Sequence, residues 1–174
     1  MKDRTITVNG VSKGFAMTGW RVGFIGAPLW IAKACNKIQG QVTSATCAIA
    51  QKAAERAMLA DPRSTTQEMK DTFLKRRDMI LAELNNIEGI KCNVPQGAFY
   101  VFPDISYYFG KSDGTTTINN SNDFCMYLLN SAHVALVAGD SFGNPECIRI
   151  SYAAADEKLM QAMDRIKKRL AQLN

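Results

Sequence analysis

A lysine and an arginine stand eight positions apart in a largely apolar stretch, VSKGFAMTGWRVGF, which runs from Val11 to Phe24. Burial of an unpaired charge is costly, so both charges must either reach water or converge on a bound group. A β-branched run precedes the stretch (Thr5–Val8), and a second strand-like run overlaps its end (Arg21–Ile25). Both charges are therefore expected at strand ends, where small-molecule sites of α/β sheets usually lie.

The remaining pattern divides the chain into two parts, of which the first covers residues 1–60. It combines the two strands with helical segments at Leu29–Lys37 and Ala48–Leu59, and Thr5–Val8 reads as a buried strand. A parallel or mixed sheet buries both of its faces, and residues 1–60 supply too few strands to do so. We therefore predict that residues 1–60 form the C-terminal end of a larger α/β domain.

Residues 61–174 predict an α+β small domain that is joined to the first part through a long linking helix. This helix is expected from Ser64 to Leu84. In IKCNVPQGAFYVFPDI, we expect two short strands, one on each side of the Pro-Gln-Gly turn. Two further strands, VALVAG and CIRISYA, are expected on either side of the turn DSFGNPE. Amphipathic helices are expected at Ser121–Ala132 and Asp156–Leu173. The predicted fold class is thus α/β, with a short β-sheet flanked by helices in the small domain.

Composition narrows the possible functions. Hydrophobic residues make up 47% and charged residues 21% of the 174 positions, which is typical of a globular protein. No apolar run approaches the roughly 20 residues that span a bilayer, and the N-terminus lacks the apolar core of a signal peptide. We expect a cytoplasmic protein without a membrane partner. The net charge of +5 comes from basic residues interleaved with acidic ones, which favours solvated helix faces over a nucleic-acid partner.

The histidine and cysteine patterns argue against metal and triad chemistry. The chain has one histidine, His133, with no motif around it, and we interpret it as structural. The five cysteines are unclustered, which is typical of free core thiols in a reducing compartment. Because no cysteine has the spacing of a metal ligand, we expect no metal.

Lys13 and Arg21 together suit a phosphorylated aldehyde. Taken alone, each would more commonly be a solvated surface charge. A lysine in an apolar site has a lowered pKa, however, and its neutral amine attacks a carbonyl carbon to form a Schiff base. An arginine keeps its proton and makes forked hydrogen bonds that suit phosphate oxygens. Pyridoxal 5'-phosphate (PLP) carries both an aldehyde and a phosphate, and we expect it as the cofactor.

The segment NGVSKGFAMTGWRVGFIGAP closely resembles the cofactor-lysine segment of the fold-type I aminotransferases of class I/II, the aspartate aminotransferase family. The resemblance continues in PQGAFYVFPDIS and in VALVAGDSFG followed by IRISYA, and so covers the C-terminal part of a family member. It implies amino-group transfer between an amino acid and a 2-oxo acid by a full-length homodimer. The MTGWR motif and the loop GQVTSATC, which lacks a basic residue, favour aspartate and 2-oxoglutarate as substrates.

The resemblance also implies roles for single residues of the first part. Lys13 is implied to form the Schiff base and then to move a proton between the substrate α-carbon and the cofactor. Arg21 is implied to hold the cofactor phosphate. In one branch of the family a hydroxyl three residues before the lysine helps to bind phosphate, but that position here is Gly10. Ser12 is included among the candidate cofactor-binding residues, although it does not occupy that position.

In the second part, Arg149 is implied to grip the substrate α-carboxylate with a bidentate pair of hydrogen bonds. It lies between Ile148 and Ile150 in a predicted strand, so alternation points it away from both isoleucines. A sheet-face arginine paired with a structural carboxylate is the competing interpretation. Phe142 is expected to border the substrate, whereas Trp20 and the aromatic residues of GAFYVF are interpreted as packing.

Family members carry further cofactor ligands upstream of the cofactor lysine: an aspartate, a tyrosine and a glycine-rich phosphate loop. These would precede the first residue of this chain, so the chain alone is expected to be inactive or nearly so. Two alternatives remain open. One is a PLP-dependent C–S lyase of the same fold, and the other is a non-catalytic interaction domain that keeps the motif as packing.

Overall fold

The computed structural model describes the backbone of residues 1–174 and every side chain except that of Pro62. The chain forms two compact units, Met1–Lys70 and Asp71–Asn174. Both contain helices, and each carries a small antiparallel sheet. The predicted α/β class is confirmed.

Two short strands form the sheet of the first unit. Strands β1 (Thr7–Gly10) and β2 (Gly23–Gly26) pair antiparallel. Both lie about two residues further along the chain than predicted. The predicted burial of the first strand is wrong, because Val8 is 75% exposed. Two strands on their own leave most of their apolar surface open to solvent.

Two helices complete most of the first unit. Helix α1 (Leu29–Val42) extends beyond its predicted end, and helix α2 (Ala48–Leu59) has the predicted limits. Gly40 lies inside α1, where a glycine is tolerated at a cost of about 1 kcal/mol relative to alanine. Both helices expose large apolar side chains: Leu29, Trp30, Ile38, Val42, Ile49, Met58 and Leu59.

The predicted long helix is divided in the structure. A four-residue helix, α3 (Pro62–Thr65), comes first, and the chain leaves helical geometry at Thr66 before α4 (Gln67–Asn85) begins. The C-terminal half of α4 turns an apolar face into the core of the second unit through Ile80, Leu81 and Leu84.

A three-stranded antiparallel sheet organises the second unit. Strands β3 (Tyr100–Val101), β4 (Val137–Ala138) and β5 (Ile148–Ser151) lie in the order β3-β5-β4, so β5 is central. The strand expected before the Pro-Gln-Gly turn is reduced to one antiparallel bridge between Lys91 and Asp104.

Two further helices pack with this sheet around one apolar core. Helix α5 (Ser121–Ala132) is capped by Asn120, whose side chain accepts a hydrogen bond from the backbone N–H of Asp123 at 2.9 Å. Helix α6 (Asp156–Leu170) ends before its predicted limit, although Leu173 is still buried. The core combines side chains from α4, α5, α6 and the sheet: Ile80, Leu84, Val101, Phe124, Leu128, Ile148, Ile150, Met163 and Ile166.

The histidine and the cysteines hold ordinary positions. His133 ends α5 in the left-handed conformation, with φ at 56°, and is exposed. All five cysteines are free; Cys125 and Cys147 are buried, but Cys35 and Cys47 are exposed, so the expectation of core positions is wrong for those two. Among the described helices, none has both the length and the apolar character needed to cross a bilayer.

Candidate functional site

A cavity of about 780 Å³ opens beside the sheet of the first unit. The predicted residues Ser12, Lys13 and Arg21 all line it, so the structure brings these three together. Apolar side chains complete part of the wall: Phe15, Phe24 and Met58. Its volume lies within the roughly 300–1,000 Å³ that is usual for small-molecule sites.

Backbone hydrogen bonds fix the loop that carries Lys13. Val11 is fully buried, and its N–H donates to the carbonyl of Val22 at 3.3 Å, which ties the start of the loop to the residue before β2. The N–H of Phe15 returns to the carbonyl of Val11 at 3.3 Å, and the N–H of Ala16 to that of Lys13 at 3.2 Å. The loop therefore turns twice within a few residues and presents Lys13 beside the cavity.

Lys13 is exposed within this chain, whereas the sequence predicted an apolar site for it. The nearby apolar residue Val11 is buried, but Gly14 and Ala16 on the other side of Lys13 are exposed. Within this chain the lysine loop is therefore largely exposed on the C-terminal side of Val11.

Arg21 adopts a strained backbone conformation next to the cavity. Its φ is 53°, in the left-handed region, and Ala16 in the same loop has the same value. Non-glycine residues in this region cost of the order of 1 kcal/mol and cluster at functional sites. Nη1 of Arg21 donates to the carbonyl of Thr18 at 2.9 Å, which uses one of the five N–H donors of the guanidinium group and restrains its orientation.

Gly10 occupies the position at which one branch of the family has a hydroxyl. A Cβ atom there would lie 3.0 Å from the carbonyl oxygen of Val22 and 3.3 Å from Cα of Gly23. Because both neighbours are backbone atoms, they cannot rotate away. The close approach of the two chain segments thus explains the glycine, and Ser12 remains the hydroxyl that lines the cavity.

Arg149 lies in the second unit, on the central strand β5. Ile148 and Ile150 on either side of it are 1% and 6% exposed, whereas Arg149 is half-buried, which confirms the predicted alternation. Its Cζ atom lies 4.5 Å from the ring centroid of Tyr100 and 4.4 Å from that of Phe142. Among the described side chains, no carboxylate forms an ion pair with Arg149. The competing interpretation of a structural ion pair therefore lacks its partner in this part of the protein.

Tyr100 and Met58 are neighbours of the candidate residues that the sequence did not reveal. Tyr100 was interpreted as packing, yet its ring lies against Arg149. The contact between Tyr100 and Arg149 follows from the register of β3 against β5, and a single sequence does not contain that register. Met58 reaches the cavity from near the end of α2, far along the chain from Lys13.

A second cavity, of about 730 Å³, shares Arg21 with the first and reaches the start of α2. Cys47 lies there, immediately before the first residue of the helix. Hydrogen bonds from the backbone N–H groups of Ala50 and Ile49 lower the pKa of the Cys47 thiol.

Comparison with known protein families decides the relationship. The model of the family described as "Aminotransferase class I and II" matches residues 1–166. The chain belongs to the class I and II aminotransferases. The earlier resemblance is thereby confirmed over nearly the whole chain.

Individual relatives of this aminotransferase chain agree. It is 51% identical over 173 residues to a bifunctional aspartate aminotransferase and glutamate/aspartate-prephenate aminotransferase of Petunia hybrida, covering 98% of this chain and 36% of the relative. It is 45% identical over 167 residues to an aspartate aminotransferase of Rhizobium meliloti, covering 95% of this chain and 40% of the relative.

Solved structures give the same result. The crystal structure of the aspartate aminotransferase from Rhizobium meliloti matches with a TM-score of 0.95 and 42% identity, over 99% of this chain and 43% of that chain. The aromatic aminotransferase from Pyrococcus horikoshii matches with a TM-score of 0.87 and 39% identity, over 98% of this chain and 44% of that chain. The chain thus spans less than half the length of each of these relatives.

The side chains around the first cavity fit the cofactor of this aminotransferase family, PLP. The lining supplies one primary amine for the aldehyde, and a guanidinium and a hydroxyl for the phosphate. It contains no carboxylate that could pair with the ring nitrogen. The described residues therefore match two of the cofactor's functional groups, the aldehyde and the phosphate.

Proposed function

We propose that this chain supplies the cofactor lysine and two ligand-binding arginines to a PLP-dependent aminotransferase. The full-length protein transfers an amino group between an amino acid, aspartate, and a 2-oxo acid, 2-oxoglutarate. The observation that carries the proposal is the single cavity lined by Ser12, Lys13 and Arg21 in a chain of this family. The names of the relatives, several of which are aspartate aminotransferases, support the choice of aspartate.

Lys13 holds the cofactor and moves the reacting proton. When bound, PLP supplies an aldehyde and an electron-withdrawing ring that stabilises negative charge at the substrate α-carbon. Lys13 lines the cavity from a loop whose two ends, Val11 and Val22, are joined by a backbone hydrogen bond. Once its amine is released from the cofactor, Lys13 would accept the proton from the substrate α-carbon and then donate it to the cofactor, as a general base and then a general acid.

Arg21 and Ser12 bind the cofactor phosphate. The guanidinium of Arg21 is always charged and is oriented by its bond to Thr18, so little side-chain freedom is lost when phosphate binds. The hydroxyl of Ser12 adds a donor from the same loop. These contacts would hold the phosphate of the cofactor in the cavity that Lys13 also lines.

Arg149 binds the α-carboxylate of the amino acid and of the oxo acid. Its guanidinium has no ion-pair partner among the described side chains and lies against the rings of Tyr100 and Phe142, so its N–H groups are available for a carboxylate. A bidentate pair of this kind orients the α-carbon as well as binding it.

The same proposal assigns the parts of the chain and its partners. Residues 1–60 belong to the large, cofactor-binding domain, and residues 61–174 comprise a long helix and the small domain. The full-length protein is a cytoplasmic homodimer. Its partners are small amino and oxo acids, without nucleic acid, membrane or metal.

The experiment that tests the function is an amino-transfer assay on the full-length protein that carries this chain. With PLP and aspartate, we expect oxaloacetate to accumulate over many turnovers only when 2-oxoglutarate is also present, because the amino group needs an acceptor. A C–S lyase would instead release thiol or ammonia from a sulfur amino acid without an acceptor. A non-catalytic domain would show neither reaction, and Lys13→Ala would leave the cofactor spectrum unchanged.

A further inference from the structure

The register of the small sheet places Tyr100 on the same face as Arg149. Tyr100 lies opposite Ser151, and Val101 lies opposite Ile150. Val101 and Ile150 are both buried in the core. Because alternate residues of a strand share a face, Tyr100, Ser151 and Arg149 all lie on the other side of the sheet. Tyr100 is thus the diagonal neighbour of Arg149, a separation that an aromatic ring and a long side chain can bridge.

Phe142 contacts Arg149 from the turn that follows β4. Strand β4 borders β5, with Val137 opposite Arg149, and a short 3-10 turn, Gly139–Phe142, follows β4 directly. The ring of Phe142 is held edge-on against Phe102, with centroids 6.0 Å apart and planes at 90°. The guanidinium of Arg149 thus lies within 4.5 Å of two ring centroids, one supplied by β3 and one by the turn that follows β4.

Packing in the core does not account for this arrangement. Phe142 is 45% exposed, and it does not belong to the buried apolar cluster of the unit. Among the described residues, the Phe142 ring makes an aromatic contact with Phe102 and a cation–π contact with Arg149. Phe142 is therefore a large, half-exposed aromatic residue in contact with an arginine that has no ion-pair partner among the described side chains, which suits a preorganised anion-binding group.

We propose that Tyr100 and Phe142 are positioning residues that hold the guanidinium of Arg149 in one orientation. Rings that lie against the guanidinium at 4.4–4.5 Å restrict its rotation, while its N–H groups can still make in-plane hydrogen bonds with a carboxylate. The side chain then loses less conformational freedom when the ligand binds. This inference rests on the proposed role of Arg149 in binding the substrate α-carboxylate.

The test measures carboxylate affinity in the full-length protein with maleate, a dicarboxylate that does not react. Phe142→Leu and Tyr100→Leu should each raise the dissociation constant of maleate about fivefold, the loss of one cation–π contact. The KM for aspartate should rise in parallel while kcat changes little, because carboxylate binding is shared by the ground and transition states. Phe142→Tyr and Tyr100→Phe keep the aromatic ring, so the dissociation constant of maleate and the KM for aspartate should stay at the values of the unaltered protein.

Tyr107→Leu is the matched control. Tyr107 is 44% exposed, and the amine of Lys111 lies 4.4 Å from its ring centroid, so it forms a comparable cation–π contact around another cavity. We expect this variant to bind maleate like the unaltered protein. If Tyr107→Leu lost as much maleate affinity as the Phe142 and Tyr100 variants, general destabilisation would explain their effect. The inference would then be overturned.

A spectroscopic measurement on the 174-residue chain tests the orientation itself. In ¹⁵N-arginine NMR spectra, the Nε–H proton of Arg149, assigned by its loss in Arg149→Lys, should be shifted by the rings. In Phe142→Leu and Tyr100→Leu it should move towards the value of a free arginine. An unshifted proton in the unaltered chain would overturn the inference.

The two proposals fail separately. If Arg149→Lys leaves maleate affinity in the full-length protein unchanged, the proposed role of Arg149 is wrong, and the inference falls with it. If Arg149→Lys weakens binding but both leucine variants bind like the unaltered protein, only the positioning role is overturned.

Discussion

In the full-length protein, Arg149→Leu should lower kcat/KM for aspartate by about 10³-fold, corresponding to roughly 4 kcal/mol of lost binding to the reacting substrate. The substrate carboxylate would enter the site without its forked partner and would remain desolvated and unpaired. Leucine is close in length to the buried stem of arginine, so the strand itself should be retained. Steady-state kinetics with aspartate and 2-oxoglutarate give the result directly.

Two further variants sharpen this prediction. Arg149→Lys keeps the charge but loses the planar fork, and should cost less than the leucine variant. Arg165→Leu is the matched control, since Arg165 is an exposed arginine on α6, and should leave kcat/KM unchanged. Activity of Arg149→Leu close to that of the unaltered protein would show that the α-carboxylate binds elsewhere.

Gly139→Ala should destabilise the second unit by about 3 kcal/mol or more. Gly139 is buried, and its N–H donates to the carbonyl of Cys147 at 2.8 Å. A Cβ atom at this position would lie 2.1 Å from the carbonyl oxygen of Asn144 and 2.3 Å from that of Cys147. Both are backbone atoms, so the turn and the start of β5 would have to move apart. Urea unfolding of the 174-residue chain, followed by circular dichroism, measures the loss.

Gly143→Ala, in the same turn, provides the control. Gly143 has φ at 80°, but a Cβ atom there would meet nothing within 4 Å. We therefore expect only the conformational penalty, about 1 kcal/mol. Equal losses in the two variants would mean that backbone conformation, and not the crowding at Gly139, governs the turn that carries Phe142.

The sequence predicted best those features that depend on residues close together in the chain. Helix α2 has its predicted limits, because it precedes the sequence Asp61-Pro62, which ends a helical pattern. Ser12, Lys13 and Arg21 belong to one loop between paired strands, so their common cavity follows from a local motif. Local hydrogen bonds and turn geometry decide such features, and a single sequence contains them.

Features that depend on distant partners were predicted less well. The sequence predicted that the first strand is buried, yet Val8 is exposed. The burial of a strand depends on which other elements cover it and not only on its own residues. The contact of Tyr100 with Arg149 depends on the register of β3 against β5, which joins residues about 50 positions apart. Alternation within β5 nevertheless predicted correctly which way Arg149 points.

The most direct test of the central claim is borohydride trapping of PLP on the purified 174-residue chain, followed by peptide mapping. Borohydride reduces the C=N bond between the aldehyde carbon of PLP and a lysine nitrogen, and so attaches PLP permanently to the lysine that formed this bond. We predict that at limiting PLP the label is concentrated on the peptide containing Lys13, because the cavity adds phosphate contacts from Arg21 and Ser12. Arg21→Gln should reduce this label, and excess inorganic phosphate should compete with it.

Lys52 and Lys75 serve as reference lysines, since their side chains are 82% and 75% exposed and both lie on helices outside the cavity. The proposed site predicts that Lys13 carries much more label than Lys52 or Lys75. It also predicts that Lys13→Ala loses label only from the peptide that contains position 13. Label spread evenly over Lys13, Lys52 and Lys75, and insensitive to Arg21→Gln, would contradict the claim that these residues form a cofactor site.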